Sequence, residues 1–261
     1  LSSLSRLGCS NLNIFCINNG PFNISDSDSI SLALKASNNL ILRNHIGNKP
    51  LSLIYNEFLE EDGFDRFVIL DDDTELNADF LTEMVSSKLN YFDLALPRIF
   101  SAHTGDLSYP ILDGCSIPFE GFITINDDVL YHSIGSGLVI NKSLLLKFKK
   151  SGLAIFDQNY ALYGVDISLF RRIQMLKDGV KCCIFSYLIH SMSSGEINIE
   201  NWRYTERLID RVLSTKYYSS KRYIILPKFL RILTGEMINF RVKNSLLCLK
   251  VFFSGRHPRC K

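Results

Sequence analysis

The chain has no uninterrupted apolar run near the roughly 18 residues that a membrane span requires. It has no Cys-x-x-Cys pair, no long polar tract, no Gly-rich basic phosphate loop and no aspartyl-nucleophile motif. Each absence removes a class. No transmembrane helix is expected, and zinc is not. The seven cysteines are odd in number, and Cys182 and Cys183 stand adjacent in an apolar stretch, which predicts free thiols and a reducing compartment. With 21% charged residues and no long polar tract, wholesale disorder is not expected. No secretory signal is visible. The chain opens on Leu1 rather than Met, so an upstream segment is expected.

What is present suffices for a large core: 261 residues, 46% of them hydrophobic. The net charge of +2 conceals an asymmetry. Residues 221 to 261 hold ten Lys or Arg and one acid, Glu236, for +9, which leaves −7 on the rest. An acidic body with a basic tail does not resemble a nucleic-acid reader, whose basic face belongs to the folded module. The tail sets Leu226, Phe229, Leu230, Ile232, Leu233, Ile238, Phe240, Leu246, Leu247, Val251, Phe252 and Phe253 among its cations. That mixture suits an amphipathic element at an anionic membrane surface. The alternatives are a helix packed on the core with a solvated basic face, or a homodimer contact.

Periodicity gives the organisation. Strands are expected at 12–17, 40–42, 67–70 and 94–96, and helices at 25–36 (capped by Ser25 or Asp26), 50–60 and from Asn77 or Asp79 to Ser87. Strands alternating with helices predict a largely parallel sheet with crossover helices, and ligands beyond the carboxyl ends of its strands. The stretch "RFVILDDDTEL" puts Asp71, Asp72 and Asp73 at such an end. Three adjacent carboxylates repel one another, so they belong in solvent or around a cation. From 97 to 132 the pattern dissolves into loops and short strands, before "IGSGLVINKSLLLKF" supplies a Gly-rich strand and a helix. Asp166 opens a helix with Ile167, Phe170, Ile173 and Leu176 at helical spacing. The macrodipole alone would favour a carboxylate there. An apolar strand from Cys182 to Ile189 then ends in His190.

Order and spacing together resemble a family. "INNGPFNISDSDSISLAL" is similar to a strand and turn of Asp-Asn-Gly-Ser type, and "NHIGNKPLSLIYNEF" to an Asn-x-Gly loop followed by a helix carrying Asn. "VILDDDTELNADFL" resembles an Asp-x-Asp (DXD) segment. "IGSGLVINKSLL" and "FDQNYALYGVDISLFRR" resemble an acceptor-side Ser-Gly strand and a base-bearing helix, with Asp166 and Arg172 six residues apart and His190 24 residues after Asp166. Over roughly residues 3 to 200 the chain resembles glycosyltransferase family 2, and within it the rhamnosyltransferase-like enzymes of bacterial surface polysaccharide (lipopolysaccharide) assembly. It departs in three places. "LSSLSRLG" resembles the helix after the family's first strand, so that strand is missing; Asn18 replaces an aspartate; Ser168 replaces a second acid.

The resemblance implies an α/β GT-A nucleotide-sugar fold over 1–200, a mostly parallel sheet flanked by helices, with a helical basic region over 201–261. It implies an inverting, metal-dependent hexosyltransferase. The donor would be a UDP- or dTDP-sugar and the acceptor a lipid-linked glycan. The expected place is the cytoplasm, peripheral on the inner face of the bacterial inner membrane. A hard divalent cation, Mn2+ or Mg2+, would offset charge on the departing diphosphate. The Asp-x-Asp spacing directs Asp71 and Asp73 to one side and Asp72 to the other. Asp73 and His190 are the expected metal ligands, with imidazole favouring manganese. Asn18, Asn44, Asp71, Asp72 and Arg172 are the expected donor-binding residues. Asp166 is the expected general base for the acceptor hydroxyl. Competing readings are a nucleotidyltransferase, a magnesium phosphohydrolase and an inactive sugar-nucleotide-binding module.

Overall fold

The structure is a computed structural model that describes every residue except 1, 26, 126–129, 177, 192–199 and 261. Along the chain run α1 (Ser2–Arg6), β1 (Asn13–Asn18), α2 (Ser29–Lys35), β2 (Asn39–Asn44), α3 (Leu51–Leu59), β3 (Arg66–Val68), β4 (Thr74–Glu75) and α4 (Ala78–Met84). There follow β5 (Leu94–Ser101), β6 (Leu107–Tyr109), β7 (Ile111–Leu112), β8 (Cys115–Ser116), β9 (Gly121–Ile125), β10 (Tyr131–His132) and β11 (Val139–Asn141). The remainder is α5 (Lys142–Ser151), α6 (Val165–Ile173), β12 (Val180–His190), α7 (Asn201–Tyr218), α8 (Ile225–Ile238) and α9 (Val242–Ser254). Local chemistry sets several ends. The Asp28 side chain accepts from the Ile30 N–H and caps α2, which therefore starts later than 25. Of the two caps expected there, Ser25 lies ahead of the helix, and Asp26 lies outside the described residues. Asn77, not Asp79, caps α4 by accepting from the Phe80 N–H.

The structure is mixed α/β, and its main sheet is not largely parallel. Its order is β3-β11-β5-β12-β4, with β6 beside β5 and β9 beside β12. Within it only β5 and β12 run parallel; β11 opposes both β3 and β5, and β4, β6 and β9 oppose their neighbours. The correction has a physical source in the 97–132 region. Five residues join β5 to β6, too few for a crossover, so the chain turns back as a hairpin. β1 and β2 pair in parallel as a separate sheet, in register from Asn13–Asn39 to Asn18–Asn44. Among the described residues, β1 and β3 each leave one edge unpaired.

One apolar cluster joins the main sheet to the C-terminal helices: Leu96, Ile140, Phe156 and Phe170 pack in the same body as Leu208 and Val212 of α7, Phe229 of α8 and Val251 of α9. Part of the tail's apolar content is thus core. A second cluster, on the other face of the sheet, holds Phe80, Cys183, Phe185 and Leu188. Membership on β12 changes parity, with Cys183 and Phe185 followed by Leu188, because the register slips by one residue at Ser186. Ser186 takes φ +44 there. The bulge carries Leu188, and with it His190, to the opposite face from the one strict alternation would give.

Candidate metal and general-base site

Past β3 the backbone stays tied to the sheet: the Ile69 N–H donates to the Leu138 carbonyl and the Gly137 N–H to that of Ile69. Gly137 sits at φ +82, where a Cβ would strike Pro97 and Leu188 at 2.5 and 2.6 Å, so only glycine permits this approach. The tie delivers Asp71 to the strand end. The Asp71 N–H donates to Ser136 Oγ at 3.2 Å, and Ser136 Oγ meets the Thr74 hydroxyl. Thr74 Oγ1 in turn lies 3.1 Å from His190 Nδ1. Asp73 Oδ1 stands 3.4 Å from the same nitrogen. His190 reaches this point because β12 pairs with β4, setting His190 opposite Thr74.

Candidate ligand atoms of Asp71, Asp73 and His190 all lie within 4.8 Å of one another. Burial lifts the Asp71 carboxyl above its ordinary range, and the charges of Asp73 and Asp72 add to the rise. His190 and the Tyr55 hydroxyl, which donates to Asp71 Oδ1 at 3.2 Å, pull it back. A cation among these groups would relieve the repulsion. Two carboxylate oxygens and an imidazole, steadied by Thr74 and Ser136, make a donor set suited to a metal ion. This set could hold a metal ion.

Asp166 begins the first turn of α6 behind Gly164, which adopts φ +82. Its carboxylate lies against Gly135, where a Cβ would come within 2.8 Å of Oδ1, and it accepts the Gly135 N–H. Burial, then the Asp71 charge, push the Asp166 carboxyl up to about 7, against the pull of that hydrogen bond. A carboxyl poised near neutrality can take a proton from a hydroxyl.

Both groups open on one cleft of about 1710 Å³, whose wall includes Asn18, Asp71, Asp72, Asp73, Asp166 and His190. Asn44 and Arg172 are not part of that wall. Asn44 Oδ1 accepts from Asn18 Nδ2 at 2.6 Å and from the Ile24 N–H, so the pair pins the 18–24 turn at the ends of β1 and β2. The Arg172 guanidinium pairs with buried Asp157 at 3.1 Å and donates to the Ala154 carbonyl at 2.6 Å. Asp157 also accepts from the Tyr218 hydroxyl. The structure therefore gives Arg172 a packing partner instead of a place in the cleft.

Several wall residues escaped the sequence reading. Tyr55 had a signal only in its place on an amphipathic helix facing an acidic strand end. Thr74 matters through contacts between segments that no local pattern reveals, whereas Gly135 and Ser136, which do not line the cleft, belong to the "IGSG" stretch that the sequence already singled out. Arg203, Arg207 and Arg211 of α7 also line the cleft. Their four-residue spacing was a legible signal, since it aligns three cations on one helix face. The chain matches no protein-family model and no curated protein.

Proposed function

We propose that this protein is an inverting glycosyltransferase that takes a sugar from a nucleotide-diphosphate donor and places it on a glycan hydroxyl. One observation carries the reading: a candidate metal set, Asp71, Asp73 and His190, shares a single cleft with Asp166, a carboxyl held near neutrality. Glycosyl transfer needs both functions side by side. When bound, a divalent cation supplies charge to offset that gathering on the diphosphate leaving group. Asp71 and Asp73 orient that end of the donor, and Asp72, exposed on the same turn, faces its sugar. The Arg203–Arg207–Arg211 face adds positive charge along the cleft for an anionic ligand. Asp166 removes the acceptor proton as the oxygen attacks the anomeric carbon opposite the departing diphosphate. One displacement inverts the configuration, with no covalent enzyme intermediate. The donor class is a UDP- or dTDP-sugar, the acceptor a lipid-linked bacterial surface glycan, and the GT-A arrangement is the fold reading that accompanies them.

A second reading, a sugar-nucleotide-binding module without turnover, is favoured by a different observation. The cleft is lined by residues of both β1 and β3, each of which has one edge unpaired among the described residues. Its volume exceeds the roughly 300–1,000 Å³ of ordinary small-molecule sites.

A thermal-shift screen of nucleotide sugars, with and without manganese, tests the shared premise. A ligand at about a hundred times its dissociation constant stabilises by about 2.7 kcal/mol. Manganese-dependent shifts specific to nucleoside-diphosphate sugars support it, and turnover then separates enzyme from module. Shifts by free nucleoside triphosphates alone would favour nucleotidyl transfer instead.

A further inference from the structure

The C-terminal hairpin carries a surface that the cleft chemistry does not use. α8 and α9 are joined by a turn in which the Phe240 N–H donates to the Met237 carbonyl and the Arg241 N–H to that of Glu236. Every large apolar side chain at this tip is exposed: Met237 at 59%, Ile238 at 75%, Phe240 at 91% and Val242 at 65%. Nothing in the fold requires this. The inward face of each helix is already filled by Phe229, Ile232, Cys248 and Val251. Phe240 moreover holds φ +55, a region that a bulky residue enters at a cost. A strained phenylalanine set almost wholly in water gains nothing from folding, and needs a partner outside the chain.

The charges name that partner. All eight Lys and Arg between 221 and 256 are exposed, while the one acid of the tail, Glu236, is buried. Glu236 is also occupied, by the Tyr204 hydroxyl and by Asn244. Glu236 also lies 4.0 Å from the Arg241 guanidinium, so the other cations on the hairpin's outer surface meet no acid of the tail, while residues 1–220 carry −7. On α9, Val242, Leu246 and Phe253 fall on one stripe, with Lys243 and Lys250 about a quarter-turn away by the 3.6-residue period. No helix among the described residues is long and apolar enough to cross a membrane. An apolar edge bordered by cations lies on a membrane without spanning it.

We infer that the α8–α9 hairpin docks on an anionic lipid bilayer, with Ile238, Phe240 and Val242 entering the headgroup region and Lys243 and Lys250 held at the phosphate level. The acidic body is repelled by the same surface, so the charge asymmetry fixes orientation as well as affinity. This docking does not depend on glycosyl transfer, and holds whatever the cleft binds.

The test is cosedimentation of the full chain with vesicles of phosphatidylcholine alone and of phosphatidylcholine mixed with phosphatidylglycerol, at low and high salt. Binding should require phosphatidylglycerol and weaken with salt. Lys243→Glu with Lys250→Glu should weaken it by roughly 30-fold or more, since each cation near an anionic surface is worth about 1 kcal/mol. Phe240→Asn gives the more discriminating result. Asparagine accepts positive φ, so the melting temperature should stay level or rise while vesicle binding falls at least about tenfold. Equal binding to both vesicle types, no binding to either, or unchanged binding by both variants would overturn the inference. Concentration-dependent dimerisation that Phe240→Asn abolishes, without vesicle binding, would assign the surface to a second copy and also overturn it.

Discussion

Replacing Asp166 by Asn should stabilise the protein and disable it, and the structure sets the size and pH dependence of the gain. The folded Asp166 carboxyl titrates near about 7, while in the unfolded chain it returns to 3.8. Between those values the folded state holds a proton that the unfolded state has released. Stability therefore falls as pH rises across this window, and the full penalty is present above it. Three units correspond to roughly 4 kcal/mol, an upper figure for a half-buried group at a cleft wall. Asparagine is nearly isosteric, offers an oxygen to the Gly135 N–H, and brings no charge beside Asp71. Urea unfolding of both proteins should thus show little difference at about pH 4 and a variant more stable by as much as about 4 kcal/mol at about pH 8. Divalent cation should shrink the gap by offsetting the Asp71 charge. Donor turnover by the variant should drop about 10²-fold or more, the usual worth of a positioned base. A stability difference that is flat with pH, or a wild type more stable on the alkaline side, would refute the reasoning.

Other perturbations reach separate parts of the account. Thr74→Val removes the hydroxyl beside His190 Nδ1 and should weaken manganese binding by about 10- to 100-fold in calorimetry; Asp73→Ala and His190→Ala should each weaken it at least as much. Unchanged affinity in all three would remove the metal assignment. Ser186→Gly relieves φ +44 and deletes a buried hydroxyl that has no hydrogen-bond partner among the described residues. It should raise unfolding stability by about 1 kcal/mol. Arg172→Met strands the buried Asp157 charge and should cost about 3 kcal/mol in denaturant unfolding. Donor KM should hardly move; a raised KM at unchanged stability would return Arg172 to donor binding.

Which parts were legible follows from which forces are local. The apolar runs and caps that make β1, β2, α3, α4 and α6 act within a few residues, and their positions could be read to within a few residues. Strand direction is a property of pairs of segments, so helix–strand alternation suggested a parallel sheet where hairpins after β5 built an antiparallel one. The acidic triplet and His190 could be recognised at strand ends, but not their approach. That depends on a one-residue bulge at Ser186, invisible in a stretch whose residues are all compatible with a strand, and on glycines at 135 and 137 that admit the Asp166 carboxylate and the Pro97 and Leu188 side chains. Arg172 looked available for a donor because its buried partner, Asp157, lies fifteen residues earlier across a loop. The tail's cations and apolar residues were plain in the sequence. Their division into an inward face and an outward face required the helices to be packed.

Whether this cleft releases a nucleoside diphosphate by metal-assisted transfer at Asp166 is read from phosphorus NMR of the products. Nucleotide sugars would be incubated with manganese and the wild-type, Asp73→Ala and Asp166→Asn proteins, with water or a glycan as acceptor. Nucleoside diphosphate should be the phosphorus product, formed only with divalent cation, lost in both variants, and paired with a sugar of inverted anomeric configuration. Pyrophosphate, inorganic phosphate or nucleoside monophosphate as the product, or nucleoside diphosphate released equally by the variants, would contradict it.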